Sequence, residues 1–202
     1  MRSEMTYADL VGLIAQRSPK LGETRLVAID GPSGAGKTTF AENLAKHTDA
    51  PIVHTDDLLD GWDDQFTFWA RLEEQVLSRL RAGRPAVYQR YQWHQKRFAG
   101  PDVTVAPAPV VLLEGVSAAR RAVRAELSFA VFVTAPPDLR FRRALARDGD
   151  HSVAFRAYLE RWRTAEDRHF AADQTRAAAD LIVDGAAVIG DDRFVRQDGV
   201  QA

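Results

Sequence analysis

The residues with the clearest chemical meaning are Gly31-Pro32-Ser33-Gly34-Ala35-Gly36-Lys37-Thr38, followed by Thr39. Their spacing fits G-x-x-x-x-G-K-[ST] in full. In that pattern glycines let the backbone curl so that successive N–H groups face phosphate oxygens. The flanks agree, because the apolar run 26–30 precedes the motif and a helical pattern over 38–47 follows it. A helix N-terminus there adds partial positive charge. Lys37 supplies a mobile ammonium for β- and γ-phosphates, and the Thr38 hydroxyl suits Mg²⁺. The chemistry expected of this segment is the holding of a nucleoside triphosphate, with ATP and Mg²⁺ as the cofactors.

Two acidic positions close apolar runs. Asp56-Asp57 follows 52–55, and Glu114 closes 110–113. Strand carboxyl ends are where α/β sheets place their ligands. An acid at the end of an apolar strand can hold Mg²⁺ directly or through water, which makes Glu114 and Asp56 metal candidates beside Thr38. A kinase acting on a hydroxyl also needs a carboxylate to orient the acceptor and take its proton, and Asp56 is the expected base. Asp57 is expected at the acceptor, with a helix N-cap as the competing reading. Eight arginines lie between 140 and 168. Arg143 and Arg147 are four apart and share a helix face. Guanidinium groups aimed at a transferring phosphoryl stabilise its charge, so these two are expected to act on it. Arg140 is expected at the nucleotide. A solvated helix with ion pairs is the alternative for most of the others.

These side chains need elements to hold them. Residues 7–16 place Tyr7, Leu10, Val11 and Ile14 on one helical face, with a Thr6/Asp9 capping box at the start. The runs 26–30, 52–55, 110–113, 129–134 and 181–183 read as strands. Stretches 38–47, 66–81, 138–147 and 153–170 read as helices, and the Arg-rich link after 114 is expected to be helical. The stretch after 84 is punctuated by Pro101, Pro107 and Pro109 and resists assignment. The central strands are apolar throughout rather than alternating, the pattern of strands buried on both faces of a parallel sheet. The expected fold class is an α/β three-layer P-loop fold with a parallel five-stranded sheet and helices on both faces.

Composition bounds the function. The chain has 202 residues, 46% hydrophobic and 27% charged, which suits one globular domain over 1–202. Lys plus Arg is 27 against 28 Asp plus Glu, a net charge of −1. That balance argues against a nucleic-acid polymer as partner. With no Cys, thiolate zinc sites and cysteine nucleophiles are excluded. No run reaches the ~20 apolar residues of a membrane span, and a cytoplasmic location is expected. The five histidines show no metal-ligand spacing and are read as structural or surface residues. A homo-oligomer stays open.

With these residues in place the chain resembles the uridine kinase family, near phosphoribulokinase, pantothenate kinase and nicotinamide riboside kinase. The resemblance spans roughly 26–185 and rests on GPSGAGKTT, TDDLLDGW, YQRYQW before PVVLLEGV, and LRFRRALARD. It implies an acceptor-binding insertion at about 58–105, in which Asp63, Asp64, Tyr91 and Trp93 would hold the acceptor and Gln92 can still hydrogen-bond its hydroxyls, and a lid at about 140–170. It also implies a nucleoside-like small-molecule acceptor, and adenine at 184–189. One departure stands out: the Tyr-Asp-aromatic turn reads Tyr91-Gln92-Trp93, so the carboxylate that would hold sugar hydroxyls is absent. Trp62 and Trp93 lie in irregular sequence and are candidates for stacking on a ring.

Overall fold

The computed structural model describes residues 2–148, 152–187 and 190–197. Strand β1 (Arg2–Thr6) leads into helix α1 (Tyr7–Ala15), where the Thr6 hydroxyl accepts the Asp9 N–H at 3.0 Å. Strand β2 (Arg25–Asp30) feeds the glycine-rich loop and α2 (Lys37–Thr48). Next come β3 (Ile52–His54) and a 3₁₀ turn, Thr55–Leu58. The segment before the next long strand holds α3 (Trp69–Leu72), a π-helical turn at Glu73–Leu77 and α4 (Ser78–Arg81). Four short strands follow: β4 (Ala86–Tyr88), β5 (Tyr91–Gln92), β6 (Arg97–Phe98) and β7 (Val103–Val105). The chain returns through β8 (Val110–Glu114), β9 (Leu127–Thr134), α5 (Pro137–Asp148), α6 (Val153–Asp173), β10 (Leu181–Asp184) and β11 (Arg193–Gln197).

The sheet order is β1-β11-β10-β9-β2-β8-β3. The five strands from β10 to β3 are mutually parallel, as their unbroken hydrophobicity requires. Strand β2 sits at the centre and sends alternate residues to opposite faces. Leu26 and Ala28 join the core formed with Phe68, Leu72 and Leu80, while Val27 and Ile29 join the one formed with Leu10, Phe40 and Leu44.

Two antiparallel strands, β11 and β1, extend the five-stranded sheet expected from sequence. Strand β1 forms the sheet edge and β11 lies between it and β10; both are of mixed polarity, RSEMT and RFVRQ, with few inward residues. Phe194 is nonetheless fully buried, its ring 5.0 Å from Phe40 and 5.1 Å from Tyr7, so the edge is pinned by aromatic packing rather than by strand propensity. Two further differences concern helices. The link before β9 forms 3₁₀ turns at Arg121–Glu126 rather than an α-helix. The expected helix over 66–81 begins at Trp69 and widens through its middle. Among the described residues no helix is long and apolar enough to cross a membrane.

Candidate active site

Strand β2 ends at Asp30, whose fully buried carboxylate accepts the N–H groups of Gly31 at 2.7 Å, Ser117 at 2.9 Å and Ala119 at 2.8 Å. One side chain thus ties the start of the glycine-rich loop to the turn after β8. Burial pushes its carboxyl up to about 6, against the pull of these N–H groups and Lys37. Gly34 has φ +75°, and a Cβ there would lie 2.5 Å from the Arg140 carbonyl oxygen, so only glycine fits. Helix α2 opens at Gly36 with no side-chain cap, leaving its first N–H groups to the cleft.

A cleft of about 190 Å³ is lined by Ser33, Gly34, Gly36, Lys37, Thr38 and Thr39 of this loop, together with Asp56, Glu114, Arg143 and Arg147. Gly31 and Ala35 build the turn behind it rather than its wall. Lys37 is 7% exposed and its ammonium donates to the Pro32 carbonyl at 3.2 Å, folded back along the loop. Arg143 donates to the carbonyls of Gly34 at 3.3 Å and Gly185 at 2.9 Å, which fastens α5 to the loop.

The carboxylates meet this loop from β3 and β8. Glu114 ends β8, accepts the Thr38 hydroxyl at 3.4 Å, and has His54 Nδ1 2.7 Å from its other oxygen. That contact raises the His54 imidazole above its ordinary range, with burial opposing. His54 is a member of the site that its spacing alone does not announce; the available signal is its place two residues before Asp56 at the same strand end. Gly115 must be glycine, since a Cβ there would sit 1.8 Å from the Thr55 hydroxyl. Asp56 lines the cleft. Although the residue is exposed to the cleft, the protein walls around its carboxyl and then the charge of Glu114 push it above the usual range, while Lys37 and Arg147 pull it back. Asp57 points elsewhere, pairing with Arg90 at 3.1 Å, and burial raises its carboxyl too.

Beside the cleft opens a larger cavity of about 480 Å³, walled by Trp62, Trp93, Phe155 and Trp162 with Leu59, Ala144 and Leu159. Ser33, Asp56 and Arg147 complete its lining, and these three with Ala144 also line the loop cleft. Of the expected acceptor residues, Trp93 reaches this cavity. Tyr91 stands behind it, its ring 5.1 Å from that of Trp93. Gln92 donates its amide N–H to the Ala99 carbonyl at 3.3 Å, and Asp63 is exposed on the turn at Trp62–Asp64.

A second residue that sequence reasoning missed is Glu166, on α6 and 1% exposed. It accepts the Ser33 N–H at 3.1 Å, the Ser33 hydroxyl, and the Trp162 indole N–H at 2.9 Å. Arg140, expected at the nucleotide, instead turns inward. Its guanidinium donates to the Ala135 carbonyl at 3.1 Å and lies 3.8 Å from Glu166. The signal was present: Glu166 continues the apolar stripe of Phe155, Leu159 and Trp162 at helical spacing, where a charge must find a buried partner. Of the segment expected at adenine, Val188 and Ile189 lie outside the described residues.

A strand, a glycine-rich loop and a helix around a phosphate-sized cleft, with carboxylates at neighbouring strand ends, define a P-loop nucleotide-binding fold. The chain belongs to the family described as AAA domain, whose model matches residues 27–169. Among solved structures, one described as a possible uridine kinase from Bacillus stearothermophilus superposes with a TM-score of 0.63 at 19% identity, covering 87% of this chain and 96% of that one. Another, described as a candidate fructose transport system kinase from Silicibacter sp. TM1040, gives 0.60 at 20% identity, covering 84% and 95%. A search of curated proteins returned no match. The resemblance to P-loop kinases therefore holds at the level of the fold, and the family is that of the AAA domain.

Proposed function

We propose that this protein transfers the γ-phosphoryl group of ATP, with Mg²⁺, to a hydroxyl of a small, nucleoside-like molecule. One observation carries the reading: Asp56 lies where the phosphate-loop cleft and the aromatic cavity share a wall, together with Ser33 and Arg147. A hydroxyl bound in the cavity meets a carboxylate able to take its proton and a phosphate held by the loop. Phosphoryl transfer asks for little covalent chemistry from a protein, so positioning and charge carry the rate. Lys37 and the loop amides would hold the phosphates, and Arg143 and Arg147 would face the transferring group.

The donor set fits Mg²⁺, since the Thr38 hydroxyl and the Glu114 and Asp56 carboxylates are hard oxygen ligands. Mg²⁺ usually takes only one or two such groups beside phosphate and water. Thr38 and Glu114 would hold it, and the ion supplies neutralisation of phosphate charge. The name of the uridine kinase neighbour supports a nucleoside acceptor, and that of the fructose transport neighbour a sugar.

The test is ADP release from Mg-ATP across a panel of nucleosides, sugars and cofactor precursors. Acceptor-dependent ADP with a phosphorylated product is expected. Acceptor-independent turnover would replace this reading with an ATPase, and ATP binding without turnover would replace it with a nucleotide-binding regulator.

A further inference from the structure

We infer that the acceptor is an alcohol carried by a planar aromatic ring, and that this site reads the ring and no sugar diol. The inference rests on the phosphotransferase reading and narrows its substrate class. The 480 Å³ cavity is of ordinary ligand size. Its aromatic walls come from separate parts of the chain: Trp62 and Trp93 from the segment after β3, Phe155 and Trp162 from α6. Trp62 stands at their centre, 4.6 Å from Trp93 and 5.5 Å from Trp162 between ring centroids, and keeps 38% of its surface exposed. An indole left this open among other rings offers a face for stacking.

The polar side of the cavity is confined to the phosphate end. Ser33 is engaged by Glu166 and by the Trp162 indole N–H at 3.2 Å, and the other polar residues of the lining, Asp56 and Arg147, stand at this same end. Both are needed beside the reacting hydroxyl. Three polar side chains in or beside the insertion already have partners. Asp57 pairs with Arg90, Asp64 with Arg71 at 2.9 Å, and the Gln92 amide N–H goes to Ala99. A polyol placed here would lose its hydrogen bonds to water against tryptophan faces and regain few, whereas the face of a planar ring makes few such bonds to lose. Selection by stacking also tolerates changes in ring substituents, because every ring has a π face.

The test is calorimetric binding to protein saturated with Mg²⁺ and a non-hydrolysable ATP analogue, using uridine, 2′,3′-dideoxyuridine, 3-pyridinemethanol and D-fructose. At least one ring alcohol should bind tenfold or more tighter than fructose, and removing the two ribose hydroxyls should change the uridine affinity less than fivefold. Trp62→Ala should weaken ring binding about tenfold with affinity for the ATP analogue unchanged, and Trp62→Phe should restore most of it. Fructose binding as tightly as every ring alcohol, a fivefold or larger loss on removing the diol, or no ring alcohol binding above fructose would each overturn the inference. Binding is read without turnover, so the two readings separate. A ring alcohol that binds but is never phosphorylated defeats the kinase and leaves ring selection standing. Phosphorylation of fructose in preference to every ring alcohol does the reverse.

Discussion

The Glu166 carboxylate on α6 accepts the Ser33 N–H of the phosphate loop at 3.1 Å, across 133 residues of chain. The same carboxylate takes the Trp162 indole N–H, so the helix that walls the aromatic cavity is bonded to the loop that would hold phosphate. Burial raises the Glu166 carboxyl and the Ser33 hydroxyl opposes the rise, so the ionised form depends on these donors. Glu166→Gln keeps the shape but sets an amide N–H₂ among N–H donors, and should lower stability by about 1–3 kcal/mol in urea unfolding. Trp162→Phe, which removes one donor, should cost about 1 kcal/mol. If both variants unfold at the wild-type midpoint, the network holds nothing together.

Asp56→Asn should abolish phosphoryl transfer and leave binding of a non-hydrolysable ATP analogue within about threefold, since the amide cannot take a proton but preserves size. Normal turnover in this variant would remove Asp56 from its assigned role.

The pH dependence follows from the same residue. As the proposed base Asp56 would act only when ionised, and its carboxyl is raised by the protein walls around it and by Glu114. Activity should therefore rise with pH through a midpoint above the ordinary carboxylate value of about 4. A kcat/KM profile whose acid limb falls at or below that value contradicts the environment described.

Gly34→Ala places a Cβ 2.5 Å from the Arg140 carbonyl at a residue with φ +75°. Both backbones would have to move, and the phosphate loop with them. Affinity for the ATP analogue should fall tenfold or more, while Gly12→Ala, with nothing within 4 Å of the added carbon, should leave it unchanged. Equal affinities in the two variants would show that the loop tolerates the shift.

Asp30 gives a stability prediction. Its carboxyl is raised to about 6, so the folded protein binds this proton more tightly than the unfolded chain. By linkage, Asp30's contribution is greatest below about pH 4 and is lost as pH rises through 6. The loss is roughly 1.4 kcal/mol for each tenfold by which folding tightens the hold on the proton. Unfolding free energies at pH 4 and pH 6 should differ less in Asp30→Asn than in the wild type. An unchanged difference would mean that Asp30 does not titrate in that window.

Much of this was legible in the chain. The glycine-rich loop, Asp56, Glu114 and the five parallel strands are local or periodic features. A loop that curls around phosphate needs glycines at set spacings, and a strand buried on both faces needs unbroken apolar residues. Strands β1 and β11 were not legible, because these mixed-polarity pentapeptides pair with each other only when segments nearly two hundred residues apart in the chain meet. The direction of long side chains was equally hidden. Arg140 and Arg143 sit three residues apart on one helix, yet one turns into the core toward Glu166 and the other clasps the loop. Gln92 carries the chemistry to hold a hydroxyl but donates its N–H within its own hairpin.

The amino-acid sequence by itself determined the phosphate loop and the strand-end carboxylates, since both depend on residue type and short-range spacing. Only the tertiary structure decided which arginines face the cleft, that Glu166 closes on Ser33, and that tryptophans from two distant segments wall one cavity. Each of these depends on how far apart in the chain the meeting residues lie, and on which buried charge finds its partner there.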